Sequence, residues 1–548
     1  MMGAYSDVRV KVDVSRVTGS CHHVWRYIGY DECNYTQMPE GEELISKFGA
    51  LPDAPYYIRT HHLLCTGNGR GAYKWGSTNV YTEDDRGTPV YNWETLDEIL
   101  DTYVKHHCKP FFELGFMPMD LVHPAFFKTY PSMDRFRAYQ HEGWATAPKD
   151  YKKWYDLIFR VVEHCVERYG KEEVLTWYWE LWNEPDIFYW KGTVEEFCKL
   201  YDYTEAAVHA ALEEARLGGP ATCGPIPGNA AEDFLEKFLS HCAQETNYVT
   251  GKQGTRLDFI TFHAKGGGFP FRINAPKETP SVKRLLGQVK LGLETVQKHG
   301  FSDREIILSE ADPDGWAAGG RFDNANMNFR NTEYFASYVA STYRQIERLG
   351  SSIKLDVRPL AWTFAFPGER CFEGTRAFST HGIDKAVFNL FKIYARFGRQ
   401  YLSFESSHEK DALCYADDYG SQEESEVSGM ATKSDDGQLG ILIYSHHDDW
   451  DNVQDFKVTL EINHLPDGKN VVIRHYRIDQ SHSNAYAEWV QQGRPNFPTP
   501  LQYEAIKSKD QLELLTPPQE VPLSEGTLVM EFELPTHAIS WIEVQSCP

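Results

Sequence analysis

Short apolar runs alternate with longer amphipathic stretches between about residues 25 and 397 of this 548-residue chain. Strands that alternate with helices build βα units around a parallel sheet. The predicted strands lie at 24–30, 56–60, 109–115, 175–183, 257–263, 304–310 and 358–364, with an eighth near 219–224. Helices are predicted between them over 150–170, with Gly170 as C-cap, from Asn92 onward, and at 194–216, 231–243, 281–299, 331–348 and 385–396. Eight such units predict a (β/α)8 TIM barrel over 20–398.

The sequence changes character after residue 400. Alternating apolar and polar residues appear at 439–446, 456–463, 470–479, 527–534 and 537–544. This period of two predicts an antiparallel β-sandwich, and residues 7–14 alternate in the same way and are predicted to add a strand. The predicted fold class is therefore α/β, a TIM barrel with an accessory antiparallel β-sandwich domain formed by 1–19 and 399–548.

The acidic composition restricts the classes of partner. Lys and Arg number 55 and Asp and Glu 79, so the formal net charge is −24. Nucleic acids and anionic membranes both attract basic patches, so we expect neither as a partner. The N-terminus has no apolar run of signal-peptide length, and nowhere do about 18 apolar residues follow one another as a membrane span requires. The 11 cysteines, an odd number without a CxxC motif, predict reduced thiols and a cytoplasmic location.

Two glutamates lie at the C-terminal ends of predicted barrel strands. Glu184 follows the strand at 175–183, and Glu310 ends the strand at 304–310. Because the C-terminal ends of barrel strands carry the active site, both side chains are predicted to face one pocket. A lone glutamate at a strand end is more commonly an ion-pair partner, but two of them among several tryptophans are typical of glycoside hydrolysis. One carboxyl would give a proton to the leaving oxygen, and the other would attack the anomeric carbon.

The segment WYWELWNEPD at 177–186 resembles the acid/base motif of the glycoside hydrolase clan with (β/α)8 barrels, whose fourth strand ends in Asn-Glu. More specifically, the chain resembles glycoside hydrolase family 39, the β-xylosidase and α-L-iduronidase family. The supporting segments lie at 57–64, 91–118, 258–266, 307–316 and 477–489. The resemblance implies a retaining exo-glycosidase in which Glu184 is the acid/base, Glu310 is the nucleophile and Asn183 donates to the sugar 2-OH.

The same resemblance implies further contacts with the sugar. They are His61, Phe116, His263, Trp316, Trp362 and Glu369. Each has a structural alternative, because the histidines could be satisfied by the backbone and the tryptophans could pack the barrel. Glu369 lies in 368–374, a segment that departs from the family pattern.

Lys265 bears on the choice of substrate. It stands where xylosidases of the family carry an aromatic residue and where iduronidase-type members carry a lysine. A lysine in the −1 subsite would favour a C5 carboxylate through a charge-assisted hydrogen bond, but Lys265 could equally pair with Asp312. We expect β-1,4-linked xylose at the non-reducing end of xylo-oligosaccharides as the substrate. The alternatives are an α-L-iduronidase-like or other glycosidase acting on a uronide or arabinoside, and a non-catalytic carbohydrate-binding protein on a hydrolase scaffold.

No metal and no cofactor are predicted. Most adjacent histidine pairs of the sequence would point to opposite faces of a strand, and there is no HExxH motif or Cys/His cluster with zinc spacing. The oligomeric state stays open at this stage, and a homo-oligomer is compatible with the sequence.

Overall fold

Eight parallel strands form a closed barrel in the computed structural model of the chain. The structure describes residues 6–67, 76–125, 143–269, 272–315, 320–363, 368–417, 419–420, 424–465, 470–523 and 525–546. The barrel strands are β1 Tyr27–Glu32, β2 Tyr57–His61, β3 Lys109–Leu114, β4 Tyr178–Leu181, β5 Arg216–Thr222, β6 Phe259–Lys265, β7 Glu305–Asp312 and β8, which consists of Val357–Pro359 and Ala361–Trp362. Val357 of β8 pairs with Ile306 of β7, and Ala361 pairs with Ile28 of β1. The last strand therefore joins the first, and the predicted TIM barrel is confirmed.

Helices connect successive barrel strands, and further helices follow the last of these strands. The longer ones are Pro39–Gly49, Glu94–Lys105, Tyr151–Tyr169, Val194–Ala211, Ala230–Gln244, Val282–Lys298, Glu333–Ile353 and Ala386–Tyr394, and the shorter ones are Lys171–Val174, Ala412–Ala416, Ala485–Gln491 and Pro500–Lys507. Asp150 begins the best-predicted helix, because its side chain accepts hydrogen bonds from the backbone N–H groups of Lys152 and Lys153. The helix ends at Gly170, whose φ of +86° suits glycine.

The helix predicted over 194–216 is too long. It ends at Ala211, because Leu212 is already extended and Arg216 begins β5. The strand predicted near 219–224 therefore lies a few residues earlier. Gly218 and Gly219, in the middle of β5, have low strand propensity, which explains why the sequence pattern placed this strand too late.

Nine strands form the second sheet. In sheet order they are Glu513–Pro522, Asn470–Ile478, Ile539–Ser546, Leu439–His446, Glu426–Lys433, Gln400–Ser406, Ser6–Ser20, Asp455–Asn463 and Leu528–Pro535. Neighbouring strands are antiparallel, except that Ser6–Ser20 runs parallel to Asp455–Asn463. Their buried aliphatic side chains share one core, and the predicted β-sandwich is confirmed. The division into 20–398 and 1–19 plus 399–548 stays a proposal.

The β-sandwich packs against the barrel. Tyr444 and Trp541 of the sandwich belong to the barrel's hydrophobic core, and the Trp541 ring stacks on Phe397 with the centroids 5.1 Å apart. The cysteines in the described ranges are unpaired. No described helix combines the length and the apolar character that a bilayer crossing needs.

Closure of the barrel depends on Gly29, where β1 meets β8. A Cβ at this position would lie 2.8 Å from the carbonyl oxygen of Arg59 and would overlap the Trp362 ring. We therefore expect Gly29→Ala to lower the free energy of unfolding by about 1–3 kcal/mol, because both neighbours must move. Gly19→Ala is the matched control, since its Cβ would meet no atom within 4 Å. Equal urea-denaturation midpoints for the two variants would contradict this explanation of closure.

Candidate active site

Glu184 and Glu310 both lie at the C-terminal end of the barrel. Glu310 is part of β7, and Glu184 follows the end of β4 at Leu181. The chain turns sharply after β4, because Trp182 and Glu184 have φ values of +69° and +44°. Trp182 Nε1 donates to the carbonyl of Tyr189 at 2.8 Å, and the N–H of Glu184 donates to the carbonyl of Ala221 at 2.8 Å. Left-handed conformations of this kind cost about 1–3 kcal/mol each and are common at functional sites.

His263, on β6, lies between the two glutamates. Its Nδ1 is 3.0 Å from Glu184 Oε1 and 3.7 Å from Glu310 Oε2. One oxygen of each carboxylate and one ring nitrogen all lie within 4.8 Å of one another. The two glutamate side chains are 17% and 9% exposed, so solvent reaches both. The carboxyl groups are roughly 5–5.5 Å apart in retaining glycosidases and roughly 6.5–9.5 Å apart in inverting ones, and oxygens as close as these favour the shorter separation.

Arg59, on β2, is a fully buried cation beneath these carboxylates. Its Nη1 lies 3.3 Å from Glu310 Oε1, and its Nε donates to Glu180 Oε2 at 2.6 Å. Its Nη2 donates to Asn183 Oδ1 at 2.9 Å and lies 3.2 Å from Glu113 Oε2. One guanidinium thereby contacts three carboxyl groups and one amide, because its N–H groups are spread over a planar fork, whereas those of a lysine share one nitrogen.

This network orients Asn183 and His61. Asn183 Oδ1 accepts a hydrogen bond from Arg59, so the Nδ2 group of Asn183 can donate to a different partner. His61 Nδ1 is 2.6 Å from Glu113 Oε2, which places Nε2 3.6 Å from Glu310 Oε1. Burial, only partly offset by Arg59, raises the pKa of Glu113 well above its usual value. Both candidate sugar contacts are therefore held by buried partners.

Lys265 is the second cation beside Glu310. Its Nζ lies 2.7 Å from Glu310 Oε2 and 2.8 Å from Asp312 Oδ2. Burial alone would raise the pKa of Glu310, but the neighbouring imidazole, ammonium and guanidinium groups outweigh burial and hold that pKa well below its usual value. Glu310 is therefore ionised at neutral pH, as a nucleophile must be.

Glu184, His263 and Glu310 are the one group of three close metal-ligand atoms found within the described ranges. These donors fit a metal ion poorly, because Lys265 and Arg59 already place positive charge on Glu310. A divalent cation would meet electrostatic repulsion from both. The absence of a metal stays a prediction, and this charge arrangement supports it.

Aromatic side chains pack beside His61. Trp362 is fully buried, its Nε1 donates to Asp31 Oδ1 at 2.8 Å, and its ring lies 5.0 Å from that of His61. Phe116 is also buried, 6.0 Å from the His61 ring and stacked on Tyr189 at 5.5 Å. Trp362 and Phe116 therefore support the histidine from the barrel side, and a direct contact with sugar stays a prediction for both.

Two predicted site residues are not part of the described cluster. His381 Nε2 donates to the backbone carbonyl of Glu369, and the charge of Glu369 acts on Tyr35 and on the buried Lys385. Trp316 lies outside the residues that the structure describes. The roles of Glu369 and Trp316 stay predictions.

The sequence did not single out Arg59 or Glu180. Each is a charged residue inside a buried strand, where an unpaired charge is costly. Asp186 and Cys223 were also missed. The N–H of Cys223 donates to Asp186 Oδ1 at 2.8 Å, next to Glu184.

The chain matches known proteins over nearly its whole length. The profile of glycosyl hydrolases family 39 matches residues 8–524. A β-xylosidase of Geobacillus stearothermophilus is 26% identical over 510 residues, covering 89% of this chain and 86% of the relative. An α-L-iduronidase of Mus musculus is 24% identical over 580 residues, covering 100% of this chain and 82% of the relative.

Solved structures share the fold. A bacterial orthologue of human α-L-iduronidase aligns with a TM-score of 0.78 and 21% identity, covering 99% of this chain and 84% of its own. A monomeric β-xylosidase from Caulobacter crescentus CB15 aligns with a TM-score of 0.75 and 20% identity, covering 98% of this chain and 100% of its own. With the family profile matched from residue 8 to residue 524, and with a carboxylate pair at the barrel's C-terminal end, the chain belongs to glycosyl hydrolases family 39 and is a glycoside hydrolase.

Proposed function

We propose that the protein is a retaining exo-glycosidase that removes β-1,4-linked xylose from the non-reducing end of xylo-oligosaccharides. The proposal rests on the oxygens of Glu184 and Glu310, which lie within 4.8 Å of each other. A close pair of this kind suits direct attack of a carboxylate on the anomeric carbon, whereas the wider pair of inverting enzymes leaves room for a water between the carboxylate and the sugar. The β-xylosidases of Geobacillus stearothermophilus and Caldicellulosiruptor saccharolyticus, each 26% identical to this chain, support the choice of sugar.

In the first half-reaction, Glu310 attacks the anomeric carbon. Its low pKa keeps it ionised, and Glu184 carries the proton that the leaving oxygen needs. The glycosidic bond breaks as the ester bond to Glu310 forms, and the leaving oxygen takes the proton from Glu184. His263 contacts Glu184 and lies close to Glu310, so it positions the two carboxylates relative to each other.

In the second half-reaction, water attacks the glycosyl ester. The bond between the anomeric carbon and Glu310 breaks, the electron pair returns to Glu310, and a water proton passes to Glu184. Arg59 lies 3.3 Å from Glu310 and stabilises the carboxylate that is released. Asn183, held through its Oδ1, would donate from Nδ2 to the sugar 2-OH, a contact that strengthens in the transition state.

The charge around Lys265 favours an uncharged sugar. Its ammonium group already contacts two carboxylates, those of Glu310 and Asp312. Arg376 is similarly engaged, with its guanidinium 3.2 Å from Asp314 and 3.5 Å from Asp312. To pair with Lys265 or Arg376, the carboxylate of a uronate would have to compete with the internal acids that already contact them. Xylose carries no charge, so its binding needs no such exchange.

A uronide is the second candidate, and the position of Lys265 is the observation that favours it. Its Nζ is 2.7 Å from the proposed nucleophile, and its side chain is 14% exposed, so it faces the place where the reacting sugar would bind. The murine relative is an α-L-iduronidase. If Lys265 left Asp312 on binding, it could pair with a C5 carboxylate instead.

A panel of aryl glycosides with one common leaving group tests the substrate. We expect kcat/KM for the β-D-xyloside to exceed that for the α-L-iduronide or an α-L-arabinoside by about tenfold or more, since pocket contacts discriminate sugars on this scale. The first product seen by NMR should keep the β configuration. Turnover of the iduronide alone would overturn the xylose assignment, inversion would overturn the mechanism, and binding without turnover would favour the non-catalytic alternative.

Lys265→Met should move the acid limb of the pH profile upward. Glu310 must be ionised to attack, and its lowered pKa places the wild-type limb of kcat/KM below pH 4.5. Without the ammonium group, burial is less opposed, so the pKa of Glu310 rises and the carboxyl takes up a proton at higher pH. Lys277→Met is the control, because Lys277 pairs with Asp449 and Asp451 at the surface. An acid limb that does not move in Lys265→Met would contradict this role.

A further inference from the structure

Asp186 and Cys223 lie next to Glu184 and have no role in the mechanism above. Two backbone hydrogen bonds tie the loop after β4 to the end of β5. The N–H of Glu184 donates to Ala221, and the N–H of Cys223 donates to Asp186 Oδ1, both at 2.8 Å. The negative charges of Glu184 and Asp186 both act on the Cys223 thiol. The backbone of β5 therefore holds Glu184 and Asp186 next to each other at the mouth of the barrel.

The thiol itself is not the reactive group. Burial, followed by the negative charges of Glu184 and Asp186, raises the pKa of Cys223 well above its usual value, so it stays neutral. Burial and the charge of Glu184 also raise the pKa of Asp186, to about 6, which leaves Asp186 a carboxylate at neutral pH. Asp186 thus brings a negative charge to Glu184, and Cys223 holds it in place.

The other groups that face Glu184 come from β6 and β7. His263 Nδ1 is 3.0 Å away, the positive charge of Lys265 acts on it, and Glu310 supplies the negative charge from β7. When Glu310 becomes an ester, that negative charge is lost. Glu184 then faces an imidazole and an ammonium group, which oppose its taking up a proton.

We propose that Asp186 is a positioning residue for the second half-reaction: held by Cys223, its carboxylate keeps Glu184 able to accept a proton while Glu310 is esterified. In that step the water oxygen bonds to the anomeric carbon, the ester bond to Glu310 breaks with its electron pair, and the water proton passes to Glu184. Asp186 exchanges no proton with the substrate and acts only through Glu184. The inference rests on the proposed retaining mechanism.

The reactivation of a trapped intermediate measures this step alone. A 2-deoxy-2-fluoro-β-D-xyloside with a 2,4-dinitrophenyl leaving group needs no proton donor in the first half-reaction, so its inactivation rate reports that half separately. For Asp186→Asn we expect an inactivation rate within twofold of wild type. The reactivation rate in buffer should be about three- to tenfold slower, as expected for a weaker general base. Added azide should remove the difference, because azide attacks without giving up a proton.

Two further variants set the limits of the effect, and a third replaces Asp186→Asn if that variant does not fold. Glu184→Ala, which lacks the base, should reactivate most slowly and respond most strongly to azide. Asp233→Asn is the control, since it removes one carboxylate at an exposed position that pairs with Lys237, and it should behave as wild type. Asp186→Ser, which also keeps an oxygen as acceptor for the Cys223 N–H, tests the same charge if Asp186→Asn does not fold.

Failure of this inference is distinct from failure of the proposed function. If wild type is inactivated but Asp186→Asn and Asp186→Ser reactivate at its rate, the role of Asp186 is overturned. Equal slowing of inactivation and reactivation, without rescue by azide, would show a merely structural role and would overturn it as well. If the fluoroxyloside does not label wild type at all, the proposed xylosidase function fails, and with it the basis of this inference.

Discussion

The buried guanidinium of Arg59 is the interaction on which the rest of the site depends. It contacts carboxylates from β3, β4 and β7 and the amide of Asn183, at distances of 2.6–3.3 Å. Burying this many acids without a cation is very unfavourable, and removing one partner of a buried ion pair commonly costs about 3–5 kcal/mol. Arg59 therefore allows acids from three different strands to share one end of the barrel, and it fixes where Glu310 lies.

The two proposed catalytic glutamates differ because the barrel surrounds them differently. Glu310 lies between two cations, Arg59 and Lys265, so it is held ionised. Glu184 lies beyond the end of β4 and is more exposed. Its neighbours are the imidazole of His263 and a second acid, Asp186. Two identical side chains therefore have different surroundings, which is the general requirement of a mechanism that uses one acid and one nucleophile.

Much of the fold and the carboxylate pair could be predicted from the sequence, because both follow from local patterns. Apolar runs separated by amphipathic helices predicted the barrel, and the ends of two runs located Glu184 and Glu310. The sequence failed where tertiary context decides, as in β5, whose glycines hide a strand that the closed sheet requires. It also missed Arg59, since a single arginine in an apolar strand has meaning only once its partners on other strands are known.

The substrate specificity also could not be predicted from the sequence alone. The sequence placed Lys265 in the site but left open whether it faces Asp312 or a uronate, and the structure adds that Asp312 and Glu310 both contact it. The charge around Lys265 depends on residues from distant segments of the chain that come together only in the fold, so no local sequence motif encodes it. The proposed preference for an uncharged sugar therefore rests on the charge that is left after internal pairing, not on the presence of a lysine alone.

The most direct test of the account is to find the residue that carries the sugar in the trapped enzyme. After inactivation with the fluoroxyloside, peptide mapping by mass spectrometry should place one 2-fluoroxylosyl group on Glu310 and none on Glu184. That result would show that the carboxylate between Arg59 and Lys265 is the nucleophile. Labelling of Glu184, or of any other residue, would contradict the central claim that this charge arrangement selects Glu310 for attack.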